Sequence, residues 1–312
     1  MAFSLSDKHI LVNYHYVEDP NESNSGMHPC PVHEFEEQIV FLSKYYTSAP
    51  LSEVFDAAKK KSDKKLYSVT FDDGLKDQYQ NAVPILKKHR VHGTFFIITG
   101  TLEGFIPYTH KLHILLSRFS PLEIIKEWNL FVRGNTQYVI STDRRWAEGR
   151  RLYEDIPPAN IKEVFSRGAP KELRDKFITS FFKKNSLNED MLCKELFMNE
   201  EEIKHIAQHS LFEIGNHTHN HEILGQGKDI QTHRIEEDFK NAEKWFERLK
   251  IKKPTIFSYP HGLRGAPHIL RRNGIMYGVI AGDERPVGAM GNGNGLCIPR
   301  YEGNTVRDFL KK

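Results

Sequence analysis

Short apolar runs that alternate with helical periods constrain the fold of this chain more than any other feature. Seven runs have the length and the β-branched or aromatic content of strands. They are His9–Tyr14, Tyr67–Phe71, Gly93–Ile98, Leu211–Ile214, Thr255–Tyr259, Met276–Ile280 and Leu296–Pro299. Helical spacing of apolar residues separates most of them, as at Phe35, Ile39 and Leu42. This alternation predicts a parallel sheet or a barrel of βα units, in which ligand sites form at the carboxyl ends of strands.

The alternation stops between about Leu102 and Asn199. Charged helical pieces and the turn Ile156–Pro158 fill this stretch. We expect a mainly helical insertion at about 102–199 within one barrel domain that spans residues 1–312, and a separate second domain is the alternative. Such an insertion could cap the site or join subunits of a homo-oligomer.

Charge and cysteine content argue against several classes of protein. The formal net charge is +3 for 312 residues, and charged residues are interspersed, so we expect no nucleic-acid partner. Cys30, Cys193 and Cys297 show no CxxC spacing, which favours a reducing compartment. The segment Met1–His9 lacks a basic stretch followed by an apolar one, and no run of eighteen apolar residues occurs. We therefore expect a cytoplasmic protein without a transmembrane segment.

Two adjacent carboxylates, Asp72 and Asp73, follow the predicted strand Tyr67–Phe71 and precede Gly74. Adjacent like charges are unfavourable unless a metal or a shared proton neutralises them. One carboxylate can bind a cation while the other acts as general base toward water that the cation activates. The alternative role for either residue is an N-cap of the following helix.

Two histidines four residues apart, His217 and His221, follow the predicted strand Leu211–Ile214. In a helical turn or a tight loop this spacing directs both imidazoles to one side, and we expect His219 to point away. Two imidazoles and one carboxylate, with positions left for water and substrate, form the ligand set of a catalytic divalent metal such as zinc. A histidine-rich surface loop is the alternative.

Three other predicted strands also end in polar groups. Tyr14 and His15 follow the first strand, Tyr259-Pro260-His261-Gly262 ends the fifth, and Arg300 follows the last. Because the carboxyl ends of parallel strands meet at one edge of a sheet or barrel, we expect these groups to share one site with the acidic pair and the histidines.

Three segments resemble the NodB-homology polysaccharide deacetylases, carbohydrate esterase family 4. They are Thr70–Gly74, His217–His221 and Tyr259–Gly262. The resemblance covers roughly Ile10–Ile98 and Phe212–Tyr301. It implies a distorted (β/α)7 barrel that removes N- or O-acetyl groups from sugars with one divalent metal. We expect zinc, with cobalt or nickel as alternatives.

Carried over residue by residue, the resemblance implies separate roles for the two adjacent acids. Asp72 would be the general base, and Asp73 would bind the metal together with His217 and His221. A backbone N–H near His261, within the third motif Tyr259–Gly262, would help to hold the oxyanion.

The chain departs from the family pattern in two places. Ser258 and His261 stand where many members have arginine and tyrosine, and the late Leu-x-His motif that supplies the general acid is missing. One branch of the family carries this histidine on its first strand, and Leu11–Tyr16 resembles that branch. The resemblance therefore implies His15 as general acid, with a structural, hydrogen-bonded histidine as the alternative. Arg300 could restrain the base, bind substrate or form an ordinary surface ion pair.

Together these residues predict a metal-dependent hydrolase that removes an N-acetyl group from an amino sugar. In the cytoplasm, the expected substrate is a nucleotide- or lipid-linked precursor in surface polysaccharide biosynthesis. A deformylase of a formamido sugar would use the same residues. A catalytically inactive sugar-binding relative is an alternative from a different class, and a metal-dependent phosphoesterase is disfavoured because a second metal cluster is missing from the sequence pattern.

Overall fold

A computed structural model describes residues 3–146, 154–224, 232–282, 284–287 and 295–311. The chain forms two compact units. The first comprises Met1–Asp19, Pro29–Phe105 and Cys193–Lys312, and the second comprises Pro20–His28 and Ile106–Leu192. The assignment of one domain with an insertion at about 102–199 stays a prediction.

Nine strands lie in the described residues, and all of them belong to the first unit. They are β1 His9–Tyr14, β2 Thr47–Ser48, β3 Leu66–Phe71, β4 Gly93–Ile97, β5 Phe212–Asn216, β6 Ile256–Ser258, β7 Tyr277–Ile280, β8 Ile298–Pro299 and β9 Tyr301–Glu302. All seven predicted strands are present. The two-residue strands β2 and β9 were not predicted.

The strands form one parallel sheet with the order β8-β7-β6-β5-β4-β3-β1-β9, and β2 pairs with β3 outside this path. β8 and β9 lie at opposite ends of the order, although only Arg300 separates them in sequence. Because β8 pairs with β7 and β9 pairs with β1, the segment 298–302 nearly closes the sheet. The predicted distorted (β/α)7 barrel is confirmed.

Twelve α-helices lie in the described residues. They are α1 Val32–Tyr45, α2 Leu51–Lys59, α3 Val83–His89, α4 Tyr108–Arg118, α5 Pro121–Phe131, α6 Ile156–Glu163, α7 Lys171–Lys184, α8 Glu189–Leu196, α9 Glu200–Gln208, α10 Thr232–Arg248, α11 Pro267–Arg272 and α12 Gly303–Leu310. A capping box opens α9, where Asn199 and Glu202 bond to each other's backbone amides. Within the described ranges, none of these helices combines the length and apolar character that a membrane crossing requires.

The barrel interior changes from apolar to polar toward the carboxyl ends of the strands. Side chains alternate between the two faces of a strand, so every second residue points inward. One apolar cluster packs against α2 and includes Leu11, Leu66, Phe96, Ile256, Val279 and Ile298. The next layer is buried and polar, with Asn13, Thr70, Ser258 and Arg300. This polar layer underlies the strand ends that carry Asp72 and His217.

The second unit has an aromatic core of its own. The Trp128 ring is fully buried, and its centroid lies 4.8 Å from that of Phe165 and 5.1 Å from that of Phe177. The guanidinium of Arg174 stacks over Tyr108 at 3.5 Å from the ring centroid. Helices α4 to α7 supply most of this unit, so the mainly helical character predicted for the stretch is confirmed.

Candidate active site

Three predicted metal ligands converge at the carboxyl end of the barrel. Asp73 Oδ1 lies 3.2 Å from His217 Nε2 and 3.5 Å from His221 Nε2. The three ligating atoms lie within 4.8 Å of one another, and this is the one such group of histidine, cysteine or acidic residues in the described part of the chain. Two imidazole nitrogens and one carboxylate oxygen suit a single divalent metal such as zinc and leave coordination positions for water and substrate.

His217 is oriented by a bond at its other ring nitrogen. Nδ1 lies 2.8 Å from the carbonyl oxygen of Ser258, so it carries the proton and Nε2 is directed at the other two ligands. Burial acts to lower the pKa of His217, but the hydrogen bond to Asp73 and the charges of Asp72 and Asp73 outweigh it and raise this pKa. The same carboxylates that attract a cation therefore also attract a competing proton.

The loop that carries both histidines has an unusual backbone. Thr218 and His221 have φ angles of 67° and 55°, a region that residues other than glycine seldom adopt. Asp238 of α10 is buried and accepts hydrogen bonds from His219 N at 2.7 Å and from the next amide at 2.9 Å. His219 directs Nδ1 to Thr99 Oγ1 at 3.0 Å and is not part of the ligand triad. Asp238 thus helps to hold the loop in the conformation that brings the ligands together.

Asp72 is bound by Arg300 and stands outside the triad. Arg300 Nη1 donates to Asp72 Oδ1 at 2.9 Å, and Nη2 donates to Oδ2 at 2.7 Å, which makes the pair bidentate. The guanidinium is fully buried and also donates to Asn13 Oδ1 at 2.7 Å, Thr70 Oγ1 at 3.2 Å and Ser258 Oγ at 3.1 Å. The two adjacent acids are therefore divided between an arginine and a candidate metal site.

The charge state of Asp72 follows from this environment. Burial alone would raise its pKa, but the charge and hydrogen bonds of Arg300 and the charge of His217 lower the pKa to about 2. Asp72 is accordingly an ionised carboxylate at neutral pH, able to accept a hydrogen bond or a proton.

His15, the predicted general acid, lies beside Asp72. His15 Nε2 is 3.8 Å from Asp72 Oδ2, and its side chain is 42% exposed. Asn13 Nδ2 contacts both Asp72 Oδ2 at 3.3 Å and Glu302 Oε2 at 3.5 Å. Burial raises the pKa of Glu302, whereas the charges of His15 and Arg300 oppose this effect. The polar layer thus places a second carboxyl group, Glu302, near the predicted acid and base.

The third motif begins with residues that pack into the barrel wall. Tyr259 and Pro260 are buried, and the Tyr259 hydroxyl donates to Leu296 O at 2.8 Å. The tyrosine side chain therefore joins the ends of two chain segments. Its contribution to substrate binding stays a prediction.

The motif continues with His261, which is exposed and has a φ of 58°. Its ring centroid lies 4.6 Å from that of His221. Gly262 follows with a φ of 67°, and a Cβ at this residue would lie 2.6 Å from Ala281 O, so both its conformation and its surroundings favour glycine. The motif places His261 next to a candidate ligand, while the oxyanion role of its backbone stays a prediction.

Sequence reasoning missed Asn13, Asp238 and Glu302. Asn13 could have been found, because it precedes His15 by two residues and therefore faces the same side of β1. Asp238 lies on the amphipathic helix α10, where an acidic residue is ordinary. Glu302 belongs to a strand of two residues, which is too short to give a periodic signal.

Fold and site together define an α/β barrel with a two-histidine, one-carboxylate donor set beside a separate buried carboxylate. A sequence profile of the family described as "Polysaccharide deacetylase" matches residues 59–127 and 176–277, which is more than half of the chain. The chain belongs to the polysaccharide deacetylase family, as its motifs predicted.

Known proteins in this family resemble the chain to different extents. It is 33% identical over 107 residues to the Bacillus subtilis (strain 168) protein named "Putative polysaccharide deacetylase YxkH". That match covers 33% of this chain and about a third (34%) of the relative. Solved structures agree in fold over nearly the whole chain. The Streptococcus pyogenes deacetylase PplD in complex with acetate has a TM-score of 0.56 at 17% identity, covering 97% of this chain and 96% of its own. IcaB from Ammonifex degensii has a TM-score of 0.58 at 17% identity, covering 98% of each chain.

Proposed function

We propose that this protein is a metal-dependent hydrolase that removes an N-acetyl group from an amino sugar. The observation that carries the proposal is that the two adjacent acids have different surroundings. Asp73 lies with His217 and His221 in a set of three candidate ligands, whereas Asp72 is held by Arg300 outside that set. In a metal hydrolase of the kind proposed here, one set of residues holds the cation and a separate base accepts the proton of water.

Asp73, His217 and His221 would hold one divalent metal, and zinc suits this donor set, with cobalt or nickel as alternatives. When bound, the metal would supply Lewis-acid polarisation of the acyl carbonyl and of water. Asp72 accepts the proton of the attacking water, and Arg300 fixes the orientation of this carboxylate. Its low pKa keeps Asp72 unprotonated between turnovers.

His15 protonates the departing amine. Its Nε2 lies 3.8 Å from Asp72 Oδ2, so the proposed acid and base are neighbours at the carboxyl end of the barrel. The backbone near His261, within Tyr259–Gly262, supports the oxyanion. General acid catalysis matters here because an amine is a poor leaving group until it carries a proton.

The proposed substrate is an acetylated amino sugar, in keeping with the family. More specifically, we propose that the substrate is a nucleotide- or lipid-linked precursor of a surface polysaccharide and that the protein acts in the cytoplasm. Cell fractionation and assays on both types of precursor would test them. We also propose that the stretch at about 102–199, whose helices come between β4 and β5 in sequence, is an insertion into one barrel domain. Its role in a homo-oligomer can be tested by light scattering of the parent and of a deletion variant.

Acetate release from N-acetylated amino sugars tests the activity. The zinc-loaded parent should release acetate, chelator treatment should stop the release, and added zinc should restore it. Asp73→Asn should lose both zinc and activity, whereas Asp143→Asn, which changes an exposed acid in the second unit, should keep both. Formate release from the formamido analogue at a higher kcat/KM would identify a deformylase. Sugar binding without hydrolysis of either substrate would identify a binding protein and overturn the proposal.

A further inference from the structure

Gln78 is a fully buried polar residue that no motif of the chain includes. It begins a single π-helical turn, Gln78–Ala82, that follows β3. Its side-chain nitrogen donates to His15 O at 2.8 Å and to Asp72 O at 2.6 Å, and its side-chain oxygen accepts from Leu75 N at 3.2 Å. Both amide hydrogens are therefore used, one on the backbone of the proposed acid and one on the backbone of the proposed base.

Neighbouring side chains reinforce the contact with the loop that carries His15. Asp77 Oδ2 accepts from Val17 N at 2.8 Å, and Asn81 Nδ2 donates to Val17 O at 2.8 Å. The turn and the residue before it, Asp77, therefore hold the segment 15–17 through three side-chain to backbone bonds. π-Helical turns occur frequently at functional sites, and this one supplies two of the three side chains.

The position of His15 relative to Asp72 depends on these backbone contacts. The regular ladder between β1 and β3 is extended by Asp72 N, which donates to Tyr14 O at 3.1 Å. One residue further on, the Gln78 amide joins the two chain segments. The His15 imidazole is 42% exposed, and its 3.8 Å separation from Asp72 exceeds hydrogen-bonding distance. Its placement therefore rests on the backbone that carries it.

We propose that Gln78 is a positioning residue that sets the separation of the acid and the base. This inference rests on the proposed function, in which His15 protonates the leaving group and Asp72 is the base. Loosening the contact should impair protonation of the leaving group more than attack by water, because the metal ligands and Arg300 are untouched. An amide needs that proton, whereas 4-nitrophenolate leaves as a stable anion without it.

The test compares Gln78→Met on two substrates with the zinc-loaded full-length protein. Methionine keeps the length and removes all three hydrogen bonds. We expect kcat/KM for the N-acetyl sugar to fall by about 10- to 100-fold, a partial loss of the roughly 100- to 10,000-fold that general acid catalysis supplies. The value for 4-nitrophenyl acetate should change by less than about threefold, and bound zinc should remain stoichiometric.

Gln38→Met is the matched control. Gln38 is also a buried glutamine, and it accepts from the Tyr14 hydroxyl and contacts Cys30 Sγ, with no bond to the His15 or Asp72 backbone among its described contacts. It should leave the ratio of the two kcat/KM values unchanged. If Gln78→Met does not fold, Gln78→Glu keeps the shape and the bond to Leu75 but turns a carboxylate toward two carbonyl oxygens, and it should show the same selective loss.

Equal loss on both substrates, or no loss on either, would overturn the role of Gln78. A parent protein that binds zinc but releases no acetate would instead overturn the proposed function. The two negative results can be distinguished. The role of Gln78 is judged from the ratio of the two kcat/KM values in an active enzyme, whereas the proposed function is judged from acetate release by the parent.

Discussion

Replacing Arg300 by methionine should destabilise the metal-free protein, because Asp72 would remain buried without its guanidinium partner. The two side chains are 0% and 4% exposed, and two hydrogen bonds of 2.9 and 2.7 Å join them. Removing one member of a buried ion pair typically costs about 3–5 kcal/mol. Asp72→Asn should cost a similar amount, since Arg300 would then keep an uncompensated charge inside the barrel.

The pKa of Asp72 gives an independent magnitude. It falls from an ordinary value of 3.8 to about 2 in the folded protein. At 1.36 kcal/mol per pKa unit this corresponds to roughly 2 kcal/mol of stability. Because the folded-state pKa is depressed, this contribution is complete above pH 3.8 and is lost as the pH falls toward 2. In Arg300→Met, burial raises the pKa of Asp72, so this carboxylate should become protonated at a higher pH than in the parent.

Urea denaturation of the metal-free proteins measures these effects. The set comprises the parent, Arg300→Met, Asp72→Asn and the double variant, each at pH 7 and the first two also down to pH 3. The double variant removes both charges of this pair, so neither charge is left buried without its partner. Its loss of stability should therefore be smaller than the sum of the single losses, by a coupling energy of at least about 2 kcal/mol.

The pair Arg174–Asp175 provides a control, because Arg174 is buried while Asp175 is 39% exposed, at a separation of 3.1 Å. Solvent should limit the coupling of this pair to below about 1 kcal/mol. Independent sites have additive effects on stability. If the losses of stability in the two single variants add up to the loss in the double variant to within about 0.5 kcal/mol, Arg300 and Asp72 are not coupled and the prediction is refuted. A pH profile of Arg300→Met that coincides with that of the parent would refute it as well.

Three further predictions concern the site and its support. Gly215→Ala should lower the midpoint of thermal unfolding, because a methyl group there would lie 2.3 Å from Phe96 Cδ1. Overpacking of this kind costs about 1–3 kcal/mol. An unchanged midpoint would contradict this prediction. Asp238→Ala should weaken zinc binding by about 10-fold or more, since two amides of the histidine loop lose their hydrogen-bond acceptor. Competition with a chelator measures the affinity. An affinity equal to that of the parent would argue against a role of Asp238 in holding the loop. Zinc affinity should fall as the pH is lowered, because Asp73 and Asp72 raise the pKa of His217 and a proton then competes for the ligating nitrogen. Equal affinities at pH 8, 7 and 6 would exclude this competition.

Local patterns predicted the parallel strands and the candidate ligand triad because both depend on information within short segments. Each of the seven predicted strands has its own apolar run, and its neighbours in the sheet follow from the parallel connection rule. His217 and His221 belong to one loop, so their proximity follows from their spacing, and Asp73 reaches them because strand ends meet at one edge of a barrel.

Long-range contacts account for what the sequence pattern did not reveal. Gln78, Asp238 and Glu302 form bonds to residues up to 289 positions away, and each is an ordinary polar residue in its own segment. The sequence pattern left an open sheet and a barrel as alternatives, and the strand β9, which pairs with β1, was not predicted because it contains only two residues. Such strands are defined by their partners and not by their own propensity.

Arg300 lies beside Ser258, one of the two positions at which the third motif departs from the family pattern. Many members of the family have arginine where this chain has Ser258. Arg300 Nη2 donates to Ser258 Oγ at 3.1 Å and to Asp72 at 2.7 Å, so the guanidinium lies beside residue 258 although it comes from the segment that closes the barrel. A serine leaves room for it, whereas an arginine at 258 would bring two guanidinium ions into one buried layer, with only one carboxylate bound between them. The guanidinium that holds Asp72 in this chain therefore comes from the junction of β8 and β9, and Ser258 on β6 accepts a hydrogen bond from it.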